Sequence, residues 1–145
     1  MADEDAVYAG DVSAADAWEA LKSDSAAVLV DVRTQIEWTL IGTPDLESVG
    51  KEPIYLQWVT SAGPNKNFVE ELRLALAERN THKAAPIYFM CQSGGRSKIA
   101  ASQCSSLGYL SAYNVSDGFE GDLDNHQHRN SFNGWKASGL PWVQQ

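Results

Sequence analysis

No stretch of this 145-residue chain approaches the roughly 20 consecutive apolar residues of a membrane-spanning helix, so a helical membrane protein is excluded. Lysine and arginine number 11 against 19 acidic residues, giving a net charge of −8, and they nowhere cluster. That leaves no electrostatic footprint for nucleic acid, and the acidity reads as solubility rather than as a dedicated basic partner. The two cysteines, Cys91 and Cys104, are too few for a disulfide scaffold and point to a reducing compartment. Met1-Ala2-Asp3-Glu4-Asp5 is acidic and lacks the basic and apolar regions of a secretory signal, which makes the cytoplasm the expected location. Asp122, Asp124, His126 and His128 follow neither zinc nor calcium spacing, so a solvated loop and no metal are expected there. No repeat, linker or low-complexity segment divides the chain. One domain is expected, large enough to bury roughly 70% of its unfolded surface.

What the chain does have is concentrated in Pro86 to Leu107, PIYFMCQSGGRSKIAASQCSSL. Ile87 to Met90 read as a buried central strand of a parallel sheet, ended by Cys91. Gln92-Ser93-Gly94-Gly95 then form a tight loop in which both glycines are free to take positive φ, and Arg96-Ser97 open a helix. A loop feeding a helix N-terminus turns backbone N–H groups toward one point and adds the positive end of the helix dipole. Cys91 stands at that point with Arg96 nearby, so a thiolate is favoured there and a nucleophile active near neutral pH is expected. The competing reading is a buried structural cysteine.

The rest of the chain supplies the frame. Residues 1–10 read as a flexible tail, and 11–145 as the domain. Ser13 with Asp16 caps a helix through about Lys22. Ala27 to Val32 form a strand, after which Asp31 and Arg33 reach the edge where the carboxyl ends of parallel strands converge, the edge that holds Cys91. Asp31 reads at least as well as a structural carboxylate, accepting loop amides or pairing with an arginine, as it does as a direct participant in the chemistry, and Arg33 and Glu37 read as members of one supporting network. Pro53 to Val59 read as a second strand, with Trp58 either packing or reaching the site. Asn67 and Glu70 cap a helix to about Arg79 whose Phe68, Leu72 and Leu76 cover the sheet. Ile99, Ala100, Cys104 and Leu107 share one face of the helix after the loop, which Gly108 stops. Two turns of helix separate Cys104 from Cys91, beyond the reach of a disulfide, so Cys104 is core. Ser111 to Val115 form a last strand, and Ser131 to Ser138 a short C-terminal helix.

Cys91-Gln92-Ser93-Gly94-Gly95-Arg96-Ser97 resembles the active-site loop of rhodanese-like sulfurtransferases. Asp31-Val32-Arg33 with Glu37-Trp38, Asn114-Val115 through Gly118-Phe119, and Gly134-Trp135-Lys136 with Gly139-Leu140-Pro141 are similar to other signatures of that family, in the same order over roughly residues 11 to 143. The resemblance implies a three-layer α/β/α fold with a central, mainly parallel sheet. One stretch departs from the family pattern. Leu40-Ile41-Gly42-Thr43-Pro44-Asp45-Leu46 stands where most members carry a His-Ile-Pro-Gly-Ala-like sequence, so no role of that histidine carries over.

By the same resemblance, Cys91 takes a sulfane sulfur from a small-molecule donor such as thiosulfate as a persulfide and passes it to a thiol or cyanide acceptor. A protein donor or acceptor is a further candidate, and no cofactor is needed. The loop residues Gln92, Ser93, Gly94, Gly95, Arg96 and Ser97 bind substrate; Asp31, Arg33, Glu37 and Trp58 support them. Gln92 stands where many thiosulfate-using members carry Arg or Lys, and a neutral amide binds a dianion less tightly. Two alternatives compete. Cysteine phosphatases space Cys and Arg as C-x5-R, a larger cradle than the C-x4-R of Cys91 to Arg96. Rhodanese-like domains also serve as docking modules or sulfur carriers, although those often lack the cysteine.

Overall fold

The computed structural model describes residues 7–144. Strand β1 (Gly10–Val12) leads to helix α1 (Ala14–Ser23), strand β2 (Val28–Asp31), helix α2 (Gln35–Leu40) and strand β3 (Thr43–Pro44). Strands β4 (Ile54–Tyr55), β5 (Val59–Thr60) and β6 (Gly63–Pro64) precede helix α3 (Phe68–Glu78) and strand β7 (Ile87–Met90). Helix α4 (Gly95–Ser106) and strands β8 (Ala112–Val115) and β9 (Trp142–Val143) complete the chain. Five strands form a central sheet in the order β1-β8-β7-β2-β4. Every pair in it is parallel, so the carboxyl ends of β2, β7 and β8 open on one edge.

β7 occupies the centre, and all four of its residues are buried. Successive strand side chains point to opposite faces, which splits the core in two. Ile87, Phe89 and Cys91 join Phe68, Leu72 and Leu76 of α3 and Ala100, Ala101 and Cys104 of α4. Tyr88 and Met90 join Ala14, Ala17 and Leu21 of α1, together with Phe119 and Trp135. The sheet is thus covered on both faces, as a parallel sheet requires. Each large apolar side chain so buried contributes about 1.5–3 kcal/mol. Ser13 caps α1 as its sequence predicts, its hydroxyl accepting the Asp16 amide at 3.0 Å.

Several expectations are corrected. The tail does not extend to residue 10: the Ala9 amide donates to the Ala112 carbonyl at 2.8 Å, Tyr8 packs on the core, and Gly10 already belongs to β1. The remainder of that tail, residues 1–6, lies outside the described residues. Of the strand expected over Pro53 to Val59 only Ile54 and Tyr55 are in ladder register with β2. The Leu56 and Trp58 amides still donate to the Asp31 and Val32 carbonyls at 3.0 and 3.1 Å before the chain turns into the β5–β6 hairpin, where Val59 faces Pro64. Asn67 occupies the cap of α3, but its side chain makes no capping bond; its own amide donates to Asn65 Oδ1 instead. Ile99 faces outward, 38% exposed, because Ser97, Ala100, Ala101 and Cys104 make the inner face of α4.

The C-terminal helix is absent as well. Residues 131–139 form turns that fold against residues 118–121, with Trp135 fully buried and its indole donating to the Pro141 carbonyl at 2.6 Å. A side chain at Gly134 would stand 2.6 Å from the Gly121 nitrogen, so this close approach, and not helix propensity, sets the local fold. In the polar run after β8, the Asp124 carboxylate accepts the amides of His126 and His128 and the Ser131 hydroxyl. Among the described residues no cluster is placed to hold a metal, and no helix is long and apolar enough to cross a membrane.

Candidate active site

Cys91 follows β7 at the carboxyl edge, where the chain turns through residues 92–94 into α4. Three groups converge on its sulfur: the Gly94 amide at 3.2 Å, the Ser97 amide at 3.4 Å and the Ser97 hydroxyl at 3.2 Å. Of the two glycines only Gly94 uses positive φ (+102°), as the N-cap of α4. A side chain there would meet the Ser116 carbonyl oxygen at 2.3 Å, so bare backbone is required for the loop to sit on the end of β8. Gly95, exposed and with no positive φ, is simply the first residue of the helix.

The loop is strapped from behind. The Phe119 amide donates to the Cys91 carbonyl at 2.9 Å, and the Glu120 and Gly121 amides both donate to the Gln92 carbonyl, at 3.0 and 3.1 Å. Gly118 (φ +65°) passes so close that a side chain would lie 2.4 Å from the Gln92 oxygen. The Gln92 side chain points into this strap and donates to Glu120 Oε2 at 3.1 Å. Ser93 is half-buried in the loop.

Arg96 is held by Glu37, whose two oxygens accept its Nη1 and Nη2 at 3.2 Å each. Glu37 also closes the capping box of α2 with Thr34, so one carboxylate fixes both a helix start and the loop arginine. Burial pushes the Glu37 carboxyl up, but the Arg96 guanidinium and the Thr34 donors outweigh it and hold the group below the usual carboxylate range. Asp31 and Arg33 form a separate, fully buried pair: Nε donates at 3.0 and 3.2 Å and Nη2 at 2.8 Å. Arg33 Nη2 also donates to the Gly42 carbonyl at 2.8 Å, and its guanidinium lies 4.1 Å from the centre of the Phe119 ring. The single network expected of Arg33 and Glu37 is therefore two ion pairs, one gripping the loop and one beneath the strap. Trp58 packs edge-on against Phe68 at 4.8 Å.

The matching family model is described as the STR4 middle domain and covers residues 9–145. A solved structure, Rv0390 from M. tuberculosis, superposes with a TM-score of 0.84 at 47% identity, over 96% of this chain and all of that one. The chain is 28% identical over 133 residues to the rhodanese-like domain-containing protein 4, chloroplastic, of Arabidopsis thaliana, 91% of this chain and 25% of that protein. The chain belongs to the rhodanese-like family. The fold is shared with the solution structure of the polysulfide-sulfur transferase homodimer of Wolinella succinogenes, with a TM-score of 0.59 at 21% identity, over 93% of this chain and 78% of that one.

Within this rhodanese-like domain, sequence reasoning took Asn114 only as part of a strand signature, with no role at the site, and passed over Asp11 and Glu120. Ser97 Oγ lies 2.6 Å from Asn114 Oδ1, and Asn114 Nδ2 donates to Asp11 Oδ1 at 3.1 Å. Because a carboxylate only accepts, Asp11 turns the amide so that its oxygen faces Ser97. Ser97 is fully buried between that oxygen and the sulfur. The signal for Asn114 was a polar residue amid the apolar run of β8; for Glu120 it was a carboxylate between two glycines in Gly118-Phe119-Glu120-Gly121. Cys104 is fully buried in the rhodanese-like core, where burial pushes its thiol up to about 12.

Proposed function

We propose that this rhodanese-like domain is a sulfurtransferase that carries sulfane sulfur on Cys91. The observation that carries the reading is the convergence of the Gly94 amide, the Ser97 amide and the Ser97 hydroxyl on one sulfur. In the first half-reaction the Cys91 thiolate attacks the outer sulfur of a donor such as thiosulfate. The new S–S bond forms as the donor's S–S bond breaks, and sulfite leaves with the electron pair. In the second, a thiol or cyanide acceptor attacks the outer sulfur of the Cys91 persulfide and restores the thiolate. Charge on sulfur is conserved through both halves, so the same donors serve throughout and no separate base is called for. Ser97 can turn its proton from Asn114 to the ionised sulfur, which suits a site lacking a catalytic histidine.

Arg96 is gripped by Glu37 through Nη1 and Nη2 while its guanidinium also interacts with Cys91, so it braces the loop and adds positive charge beside the nucleophile. The phosphatase alternative is disfavoured by the C-x4-R spacing. Gln92, a neutral amide engaged with Glu120, fits thiosulfate poorly, so a small-molecule or protein persulfide is the better physiological donor. Intact mass spectrometry after incubation with sulfane donors tests the reading. Wild type is expected to gain one sulfur and Cys91→Ser none. Absence of a gain from thiosulfate, mercaptopyruvate and an alkyl persulfide alike would leave only the binding-module alternative.

A further inference from the structure

An unbroken chain of hydrogen bonds joins the Cys91 sulfur to the surface. Ser97 Oγ lies 3.2 Å from that sulfur and 2.6 Å from Asn114 Oδ1, and Asn114 Nδ2 donates to Asp11 Oδ1 at 3.1 Å. Cys91, Ser97 and Asn114 are buried, whereas Asp11, on the outermost strand β1, is exposed. Tyr8 closes the outer end, its hydroxyl donating to the same Asp11 oxygen at 2.8 Å. Among the described residues the Asn114 side chain bonds only to Ser97 and Asp11, so Asp11 alone decides which way the amide faces. A carboxylate takes the amide hydrogens, Oδ1 is left for Ser97, and the Ser97 proton goes to Oδ1. Every donor in the chain then points away from the sulfur. The other groups around Cys91 behave differently: the Gly94 and Ser97 amides donate to the sulfur, and the Arg96 guanidinium, paired with Glu37, adds positive charge beside it. Those favour an anionic sulfur throughout. The Ser97 hydroxyl is the donor whose hydrogen is contested.

We propose that Asp11 is a positioning residue for sulfur transfer: by fixing the Asn114 amide it draws the Ser97 proton away from Cys91 and tilts the site toward its persulfide-loaded form. This rests on the sulfurtransferase reading above. In the unloaded site the negative charge lies on Sγ, which competes with Asn114 Oδ1 for the one hydroxyl proton. When Sγ attacks the outer sulfur of thiosulfate, the new S–S bond forms, the donor's S–S bond breaks and sulfite leaves with the electron pair. The negative charge then lies on the outer sulfur of the persulfide, and Sγ, now neutral and bonded twice, makes no further claim on the proton. The hydroxyl returns to Asn114 at no cost. Asp11 thus raises the energy of the bare thiolate and leaves the persulfide untouched, although its carboxylate is two side chains removed from the sulfur.

The test compares wild type, Asp11→Ala and Asp11→Asn. Asp11→Ala frees the Asn114 amide to turn its nitrogen toward Ser97, whose hydroxyl then donates to the sulfur without a rival. The pH midpoint for alkylation of Cys91, followed on its own peptide, should fall by about 0.5–1 unit. Persulfide loading at a fixed ratio of thiosulfate to sulfite, measured by mass above both midpoints, should have an equilibrium constant about three- to tenfold lower. Asp11→Asn removes the charge but keeps an oxygen that can accept from both Tyr8 and Asn114, so it should shift the midpoint less than about half as far. An unmoved midpoint in Asp11→Ala overturns the proposal, and so does an equal shift in Asp11→Asn, which would make the effect one of charge alone. Should Asp11→Ala not fold, nuclear Overhauser contacts in wild type decide: the Asn114 side-chain amide hydrogens should lie against Asp11, and contacts to the Ser97 methylene instead overturn the proposal. Failure of the underlying reading looks different, since wild type would then load no sulfur while the alkylation midpoint still moved in Asp11→Ala.

Discussion

Ser97 has one hydroxyl proton and two claimants, the sulfur at 3.2 Å and Asn114 Oδ1 at 2.6 Å. With Asn114 held by Asp11, the hydroxyl donates to the amide oxygen and its own oxygen faces the sulfur; an ionised sulfur reverses this by drawing the proton to itself. A hydrogen bond to a charged group is worth about 1.5–3 kcal/mol, and sulfur, a soft acceptor, belongs at the lower end. Ser97→Ala should therefore slow persulfide formation about tenfold while the two backbone amides keep some reaction going. It should also lower stability by about 1–2 kcal/mol, because buried Asn114 Oδ1 loses its donor. Rapid-mixing measurement of sulfite release reads the first and urea unfolding the second. A full rate in Ser97→Ala would show that the amides suffice and the hydroxyl only fills space.

The loop and helix α4 meet at two adjacent glycines that the sequence presents as equivalent and the fold does not. Gly94 stands at φ +102° with the Ser116 carbonyl 2.3 Å from where a side chain would begin, whereas a side chain on Gly95 would meet open space. Gly94→Ala should cost at least about 1–3 kcal/mol from its backbone conformation alone and abolish sulfur transfer, since displacing residue 94 withdraws an amide from Cys91. Gly95→Ala should keep the fold and melt slightly higher, by about 0.5–1 kcal/mol of helix propensity. Thermal melts and the mass assay of both variants check the pair; equal damage would mean the loop tolerates no change at all. What made β7, α4 and the Cys91 loop legible is that their signals are local: an apolar run, a small-residue turn, then amphipathic spacing. β1 was illegible because Gly10-Asp11-Val12 has no such run and becomes a strand only by pairing with β8, more than 100 residues away. The same distance hid Asp11 as the anchor of Asn114. The turns around Trp135 were missed for a related reason, since the approach of Gly134 to Gly121 overrides a sequence that looks helical. Asp31, Arg33 and Glu37 were recognisable as supports from their motif, but which carboxylate holds which arginine is a tertiary fact.

At the scale of the whole molecule, stability against pH is shaped by groups the reaction does not use. Cys104 is fully buried and its thiol is pushed up to about 12 by that burial, against about 8.5 for an exposed cysteine. Between those values the unfolded chain has lost the proton that the native state keeps. The unfolded state binds fewer protons, so stability falls as pH rises, by up to about 1.4 kcal/mol per pH unit. Tyr8, with burial and Asp11 pushing its hydroxyl up to about 12, and Tyr88 and Tyr109, raised chiefly by burial, steepen the same limb from about pH 10 upward. Glu37 acts at the other end: its lowered carboxyl stabilises the fold above about pH 4.3 and loses that contribution as pH falls through the native value. Cys104→Ala separates the thiol from the tyrosines. At pH 7 the variant should be less stable by about 1 kcal/mol for the lost sulfur contact, but its unfolding free energy should fall less steeply than wild type between about pH 8.5 and 10. Urea titrations across that range decide the matter. Parallel curves would place the alkaline sensitivity in the tyrosines alone, whereas converging curves would make a second, chemically idle cysteine the reason this fold loosens in base.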